Sequence, residues 1–406
     1  MTDEAEVAEL AERVEAGELR LHELEEHAGA DDAASARRAY VESAAGADLS
    51  SVGGYGFDAA DVDSNVENLV GAVQVPLGVA GPLPVSGSAA SGERYLPMAT
   101  TEGALVASVN RGCGVLRAAG GVTARVLESG MTRAPVFKTG GVAESAAVAD
   151  WIRENGERLA EAAESTTSHG ELLDVRPYVV GDNVFPRFAY DTKDAMGMNM
   201  ATIATREACE LIEAETEAEL VALSGNLCSD KKPAAINAIE GRGRTVAADA
   251  TIPRELVEER LHATPEAVAE VTTRKNHVGS AKAGSLGFNA QTANVVAAVF
   301  LATGQDAAQV VEGANTIVTA EARDEGLYLS VTLASLEVGT VGGGTKLPTQ
   351  SEALDLLGLR GGGDPPGSNA DALAEYVAGG ALAGELSLLS ALASRHLSSA
   401  HEQLGR

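Results

Sequence analysis

Hydrophobic and polar positions along this 406-residue chain follow two periods, and the changes between them mark the elements. Over residues 1–32, Leu10, Val14, Leu21 and Leu24 form a rough helical stripe among twelve acidic residues and two arginines. That predicts a charged amphipathic helix or pair of helices on the surface. From Glu67 the chain turns Val-rich and is broken by Gly and Pro (ENLVGAVQVPLGVAGPLPV), which predicts strands and turns. Residues 102–116 then return to helical spacing, with Thr100 or Thr101 as N-cap and Ala104, Leu105, Ser108 and Val115 suited to close packing. Gly120-Gly121 ends that unit, and a strand is expected over 122–127.

Residues 135–222 carry a separate pattern. A short strand near 135–138 precedes a helix over 144–163. Two strands follow, 172–180 and 183–190, joined by Gly181-Asp182. A helix over 198–213 and a strand over 219–224 complete the order βαββαβ, a split, ferredoxin-like arrangement. Beyond it, the spacing predicts a strand over 244–252 and helices over 253–261 and 265–274. A small-residue stretch leading into a helix follows within 281–303, then two short strands within 317–333 and a long Ala/Leu helix over 371–401. No internal repeat is visible.

Composition narrows the function classes. A net charge of −29 leaves no basic stripe to neutralise phosphates, which argues against nucleic acid, and against docking on an anionic membrane. Acidic excess with few lysines and small apolar residues resembles a protein of a high-salt cytoplasm, where salt screens self-repulsion. Cys113, Cys209 and Cys228 are too sparse and irregular for a disulfide framework or a zinc site, and the N-terminus lacks a signal-peptide pattern. The longest uninterrupted apolar run, 295–302, falls short of the ~20 residues of a membrane span. The expectation is a cytoplasmic protein.

Candidate chemistry starts at residues 224–237, SGNLCSDKKPAAIN. Lys231 and Lys232 stand together before Pro233 in a chain with seven lysines against 59 acids. Proline pushes its predecessor toward an extended conformation, so the pair sits on a loop, with a helix starting near Pro233. Taken alone, such a pair is an ordinary solvated turn. Glu102, at a predicted helix start among apolar neighbours, is either a helix-dipole partner or a general acid. Asp306, after Gly304, is a helix cap or a carboxylate that holds a lysine protonated. DAMGMNM (194–200) follows a strand and opens a helix, and its Gly197 permits close backbone approach to an anion, although it is not GxGxxG. GTVGGGT (339–345) is a flexible loop or a set of amides around a phosphate or nicotinamide. His396 and His401 are five apart and do not share a helix face, so no joint metal site is expected; a terminal His is exposed or closes over a site as a proton donor. Cys113 and Cys228 read as small buried hydrophobes.

Taken together, ENLVG, VPLGVAGPL, PMATTEGALVAS, GMTR, DAMGMNM, SGNLCSDKKPAAIN, EGRG, GQDAAQ, GTVGGGT and AGELSLLSALA, in this order, resemble 3-hydroxy-3-methylglutaryl-coenzyme A (HMG-CoA) reductase. The resemblance runs from about residue 67 to 401 and is closest to the first, biosynthetic class. It implies reduction of HMG-CoA to mevalonate and free CoA with two NADPH per turnover and no metal. It implies catalytic Glu102, Lys231, Asp306 and His401, and substrate contacts at Arg133, Ser224, Asp230, Lys232, Lys275 and Asn294. The cofactor positions it implies are Asp194, Met196, Gly197, Met198, Asn199, Gly342, Gly343 and Gly344. Gly114 and Ser168 stand where relatives often carry an arginine near the cofactor phosphate. ENLVG resembles a dimer-contact segment, implying a homodimer or dimer of dimers with active sites between subunits.

The expected architecture is α+β. A helical segment (1–65) precedes a large, helix-rich substrate-binding α/β domain (66–134 and 235–406). A small ferredoxin-like NADP-binding domain (135–222) is inserted into it, and 223–234 is the connecting lysine loop.

Overall fold

In the computed structural model, which describes residues 4–167 and 170–404 and side chains as far as Ser394, the acidic stripe folds as two helices. They are α1 (Glu4–Glu15) and α2 (Ala30–Ala45), with a 3-10 turn at Leu21–Glu26 between them. Leu10, Val14 and Leu24 are buried in a small core of their own, as the spacing predicts. Arg37 of α2 is also fully buried there, paired with the Leu21 carbonyl (2.6 Å) and the Glu25 carboxylate.

The Val-rich stretch forms an antiparallel pair, β1 (Leu77–Ser86) and β2 (Ser91–Ala99). The following helix, α3 (Leu105–Ala118), starts later than expected. Ala104 at its boundary is left-handed (φ 67), so Glu102 lies in the turn before the helix and not in its first turn. The Thr100 hydroxyl accepts the Glu102 amide (3.0 Å) and caps that turn instead. β3 (Val122–Arg133) runs six residues past its predicted end. A register shift between Val126 and Glu128 breaks the in-out alternation and hides the continuation from a period-two reading.

Next come β4 (Val136–Lys138), α4 (Val142–Glu154), α5 (Gly156–Glu164), β5 (Glu171–Val180), β6 (Asn183–Asp191), α6 (Met198–Glu215) and β7 (Glu219–Ala222). The single helix expected over 144–163 is two. Asn155 leaves helical geometry (φ −114, ψ 28) and is followed by glycine, a poor helix residue. The four strands lie in the order β7-β4-β6-β5, every neighbour antiparallel, and Gly181 (φ 63) supplies the left-handed turn between β5 and β6. The three helices cover this sheet with a core that includes Phe137, Phe188, Ile152, Leu159 and Ile212.

After the lysine loop, α7 (Ala235–Glu240) begins two residues beyond Pro233. β8 (Gly243–Pro253), α8 (Arg254–Leu261) and α9 (Pro265–Val271) follow, and α9 continues as a π-helix over Thr272–Gly279 into α10 (Ser280–Ala283). The chain proceeds through α11 (Thr292–Thr303), α12 (Val310–Gly313), β9 (Thr316–Arg323), β10 (Gly326–Leu336), α13 (Pro348–Leu357) and α14 (Ser368–Leu404). β3 joins the two sheets: Thr123–Gly130 pairs with β8, and Met131–Arg133 pairs with β6.

The organising element of the larger core is α14. Residues Ser368–Ser394 are long and apolar enough to cross a membrane, yet they are mostly buried among α3, α9, α11 and β8. Gly112 lets α3 approach; a Cβ there would lie 2.0 Å from the Ala383 carbonyl oxygen. Buried carboxylates fix the helix by collecting backbone donors. Glu375 accepts the amides of Ser88, Ala89 and Ala90, and Glu385 accepts those of Ala290 and Gln291.

Candidate active site

The lysine loop crosses from β7 toward α7 over the end of β3, where the Gly225 amide donates to the Ala134 carbonyl (2.6 Å). Ser224, just before Gly225, is exposed, and Arg133, just before Ala134, has its Nε buried without a partner among the described residues. At the far side of the loop Lys231 is left-handed (φ 59), a conformation that costs a non-glycine residue roughly 1–2 kcal/mol. Its Nζ lies 2.8 Å from the Asp306 carboxylate. That hydrogen bond is the main reason the Lys231 ammonium is held above its ordinary range, so it stays charged well past neutral pH. Asp306 has both of the roles open to it from sequence, since its other oxygen caps the following turn at the Ala308 amide (3.1 Å). Lys232 turns its ammonium back to the Asp230 carbonyl (3.0 Å).

Beneath the loop lies a cluster that the residue-by-residue reading did not assign. Arg242, from the EGRG stretch, is fully buried and reaches Asp230 (3.0 Å), Glu337 (2.8 Å) and Glu312 (3.6 Å). Glu312 in turn accepts the backbone N–H of Lys231. Burial pushes the Glu312 carboxyl up and the Glu337 carboxyl well up. In sequence these residues lack periodicity or motif spacing relative to one another; the faint signal was that charged residues interrupt runs otherwise fit for burial.

The two glycine-bearing motifs meet next to this cluster. The Asp194 carbonyl accepts the Thr340 amide (2.8 Å), and Ala195 pairs with Val341. Gly197 is left-handed (φ 84), and a Cβ there would lie 2.2 Å from Thr192 Cγ2, so only glycine fits at the start of α6. Gly342 (φ 77) and Gly343 (φ 52) turn the second motif, and their Cβ positions face open space. Gly344 packs against the Gly304 carbonyl oxygen (2.6 Å from an added Cβ). The Asp194 side chain does something else: buried, it accepts the amides of Gly363, Gly367, Asn369 and Ala370. It therefore ties the loop before α14 and the α14 N-terminus, and its carboxylate is not free to meet a ligand. Among the described residues no side chain caps the first amides of α6, which the first turn of a helix leaves without an intrahelical partner. Beside these amides, Met196 Sδ lies near Gln309 and Met198 Sδ near Arg242, and Asn199 is exposed.

A second group gathers at the other end of α11. Asn294, in its first turn, donates to the Glu102 carboxylate (3.2 Å). Glu102 is exposed in the single chain despite its apolar sequence neighbours. Lys275 is exposed on the π-helix and opens onto a cavity of 710 Å³ shared with Val271, Leu392 and Ala393. Its charge also reaches Glu385, which is bonded to Gln291 at the base of α11. Asn294 and Thr303 are nine residues apart, so roughly 13 Å of helix separates this group from Asp306 and Lys231. Among the described residues no hydrogen bond or ion pair joins the two groups. His401 falls within α14, but its side chain is outside the described residues, as is Ser168.

Cys113, Cys209 and Cys228 are all buried and free, and burial pushes the Cys113 thiol up to about 12, which removes thiolate reactivity there. No group of three or more His, Cys, Asp or Glu side chains suited to a metal occurs among the described residues.

The family model for hydroxymethylglutaryl-coenzyme A reductase matches residues 33–406. The chain is 72% identical over 406 residues to the 3-hydroxy-3-methylglutaryl-coenzyme A reductase of Haloferax volcanii, with 100% of each chain covered. It is 70% identical to that of Halobacterium salinarum, again over 100% of each, and 53% identical to that of Pyrococcus abyssi over 98% of this chain and 100% of the relative. The first two come from halophiles, in keeping with the charge of −29. Among solved structures it resembles a class II 3-hydroxy-3-methylglutaryl-CoA reductase from Streptococcus pneumoniae bound to NADPH in open conformations. The TM-score is 0.67 at 20% identity, over 95% of this chain and 96% of that one, a likeness of fold. The ordered motifs, the full-length identity and the shared fold together place this chain in the hydroxymethylglutaryl-coenzyme A reductase family, as an oxidoreductase.

Proposed function

We propose that the chain reduces HMG-CoA to mevalonate and free CoA, taking two NADPH per turnover and no metal, as a class I enzyme of the cytoplasm supplying isoprenoid lipid synthesis. The observation that carries this reading is the Lys231–Asp306 pair at 2.8 Å on a left-handed lysine, a cation held charged in a fixed direction. The entrance between α6 and the Gly342–Gly344 turn fits a dinucleotide. Backbone amides without a side-chain cap and an uncrowded glycine face suit an anionic, planar ligand. Met196, Gly197, Met198 and Asn199 would hold it with Gly342, Gly343 and Gly344, while Asp194 shapes the site from behind. NADPH supplies a hydride in each of the two reductions.

The chain's residues supply charge and protons. Lys231 stabilises the oxyanion that develops on the thioester carbonyl, and then the one on the aldehyde carbonyl. Asp306 keeps Lys231 protonated. His401 gives a proton to the departing CoA thiolate sulfur, and Glu102, oriented by Asn294, gives one to the aldehyde oxygen as mevaldehyde is reduced. Arg133, Lys232 and Lys275 supply cations for the acyl substrate, with Ser224, Asp230 and Asn294 as polar partners.

The separation of Glu102 from Lys231 along α11 supports sites built between two subunits, with Glu102, Asn294 and Lys275 from one and Lys231 and Asp306 from the other. A homodimer or dimer of dimers follows. Three cores support units close to those expected, 1–65, a large unit of 66–134 and 235–406, and the inserted 135–222, with Met131 packing into the inserted core and Leu69 into a cluster with Ala34, Ala59 and Val62; the β7-β4-β6-β5 order is the ferredoxin-like one. Residues 223–234 connect them.

The test is NADPH oxidation with HMG-CoA and with mevaldehyde. Lys231→Ala is expected to lose at least about 10²–10³ in kcat on both substrates. His401→Ala should spare mevaldehyde. Mixing inactive Glu102→Ala and Lys231→Ala subunits should restore about a quarter of wild-type sites, because half of randomly paired dimers hold one intact site. Full turnover in Lys231→Ala would overturn the chemical reading, and no recovery in proven mixed dimers would overturn the shared site.

A further inference from the structure

Glu312 is fully buried on α12, directly under Lys231, and the scheme above gives it no task. One of its oxygens accepts the Lys231 backbone N–H, while the other is buried without a hydrogen-bond partner among the described residues. An ionisable group in such a place is destabilising unless it holds something. What it touches is a lysine in a backbone conformation that lysine seldom adopts. Glycine or asparagine would enter that conformation freely, but neither carries an ammonium. The adjacent Asp230 is fixed from the same cluster, through Arg242 at 3.0 Å. Two successive residues of the loop are thus gripped, Asp230 by its side chain and Lys231 by its amide.

We propose that Glu312 is a positioning residue: by accepting the Lys231 amide it holds that lysine left-handed and aims its ammonium at Asp306 and the reacting oxygen. The inference rests on the reading of Lys231 as the oxyanion-stabilising group. Arg242 anchors Glu312 from one side (3.6 Å), and Glu337 shares that guanidinium (2.8 Å). The other titratable groups facing the cluster are Asp230 and Cys228 from the loop, Asp306 beyond α11, and Arg187 from β6.

Glu312→Leu removes the acceptor, and Glu312→Gln restores an acceptor without the charge. Glu312→Leu is expected to lower kcat about 100-fold on both HMG-CoA and mevaldehyde, the cost typical of a misplaced catalytic group. The KM for NADPH should hardly move. The alkaline limb of the kcat profile should shift to lower pH, because a lysine that leaves Asp306 gives up its proton earlier. Glu312→Gln should recover at least about tenfold of the lost kcat, in line with one restored hydrogen bond. Should Glu312→Leu fail to fold, Glu312→Asp, which shortens the reach, is expected to move the alkaline limb in the same direction. A fall in stability with an unmoved alkaline limb, or a Glu312→Gln no better than Glu312→Leu, overturns positioning. Lys231→Ala runs alongside. Full turnover there defeats the lysine reading itself, whereas loss there with an unchanged Glu312→Leu profile defeats only the role of Glu312.

Discussion

Replacing Asp194 by asparagine separates a structural tie from a cofactor contact. In the structure Oδ2 accepts the Gly363 (2.9 Å) and Gly367 (2.7 Å) amides, and Oδ1 accepts those of Asn369 (3.0 Å) and Ala370 (3.1 Å). Asparagine keeps the shape but turns one oxygen into an NH₂ group, so two buried amides lose their acceptor and face a donor. At about 1.5–3 kcal/mol net for each hydrogen bond to a charged group, two such losses come to roughly 3–6 kcal/mol. That is a large part of the ~5–15 kcal/mol that keeps a domain folded. With ~2.1 cal/mol/K of unfolding entropy per residue over 406 residues, the melting temperature should fall by roughly 4–7 °C. The site is buried, so the difference should persist between low and high KCl, where surface pairs would be screened. Thermal melts at two salt concentrations, with the KM for NADPH measured well below the melt, make the assay. A variant that melts within about 1 °C of the parent while its KM for NADPH rises sharply would refute the tie and return Asp194 to the cofactor.

Three other outcomes follow from the same geometry. Asp306→Asn removes the bond that raises the Lys231 ammonium, so the alkaline limb of mevaldehyde reduction should move to lower pH; an unmoved limb would mean Asp306 does not set that charge. Gly197→Ala places a Cβ 2.2 Å from Thr192 at a left-handed residue and should cost more than about 1 kcal/mol of stability while raising the KM for NADPH; urea unfolding and initial rates check both. Glu337 carries a folded-state pKa raised by burial, so its contribution to stability is complete below the ordinary carboxyl range and is lost as pH rises from there toward its folded value. Glu337→Gln should therefore flatten the fall in urea midpoint between acidic and neutral pH, and an unchanged slope would show that Glu337 does not titrate there.

Much of this protein was legible along the chain because its information is local. A helix such as α6 declares itself by a 3.6-residue period behind a glycine, and the β5–β6 hairpin by alternation on either side of Gly181-Asp182. The candidate residues were legible for a related reason: motifs whose chemistry depends on neighbouring backbone, such as KKP or GTVGGG, keep their members adjacent. Local rules failed where the backbone departed from the regular period. Thr100 caps a turn and not a helix because Ala104 goes left-handed, and β3 continues through a register shift to join both sheets.

The amino-acid order by itself determined most of the elements, the acidic composition and the candidate residues, since periodicity, charge and glycine placement act over a few positions. Only the tertiary structure decided which residues meet. It brought Asp306 to Lys231, set Glu312 and Arg242 beneath them, gave Asp194 to the start of α14, and left Glu102 at the far end of α11. Those outcomes belong to pairs from 12 to 192 positions apart. Burial decides their energies, because a carboxylate chooses its partners only once water has been excluded from around it.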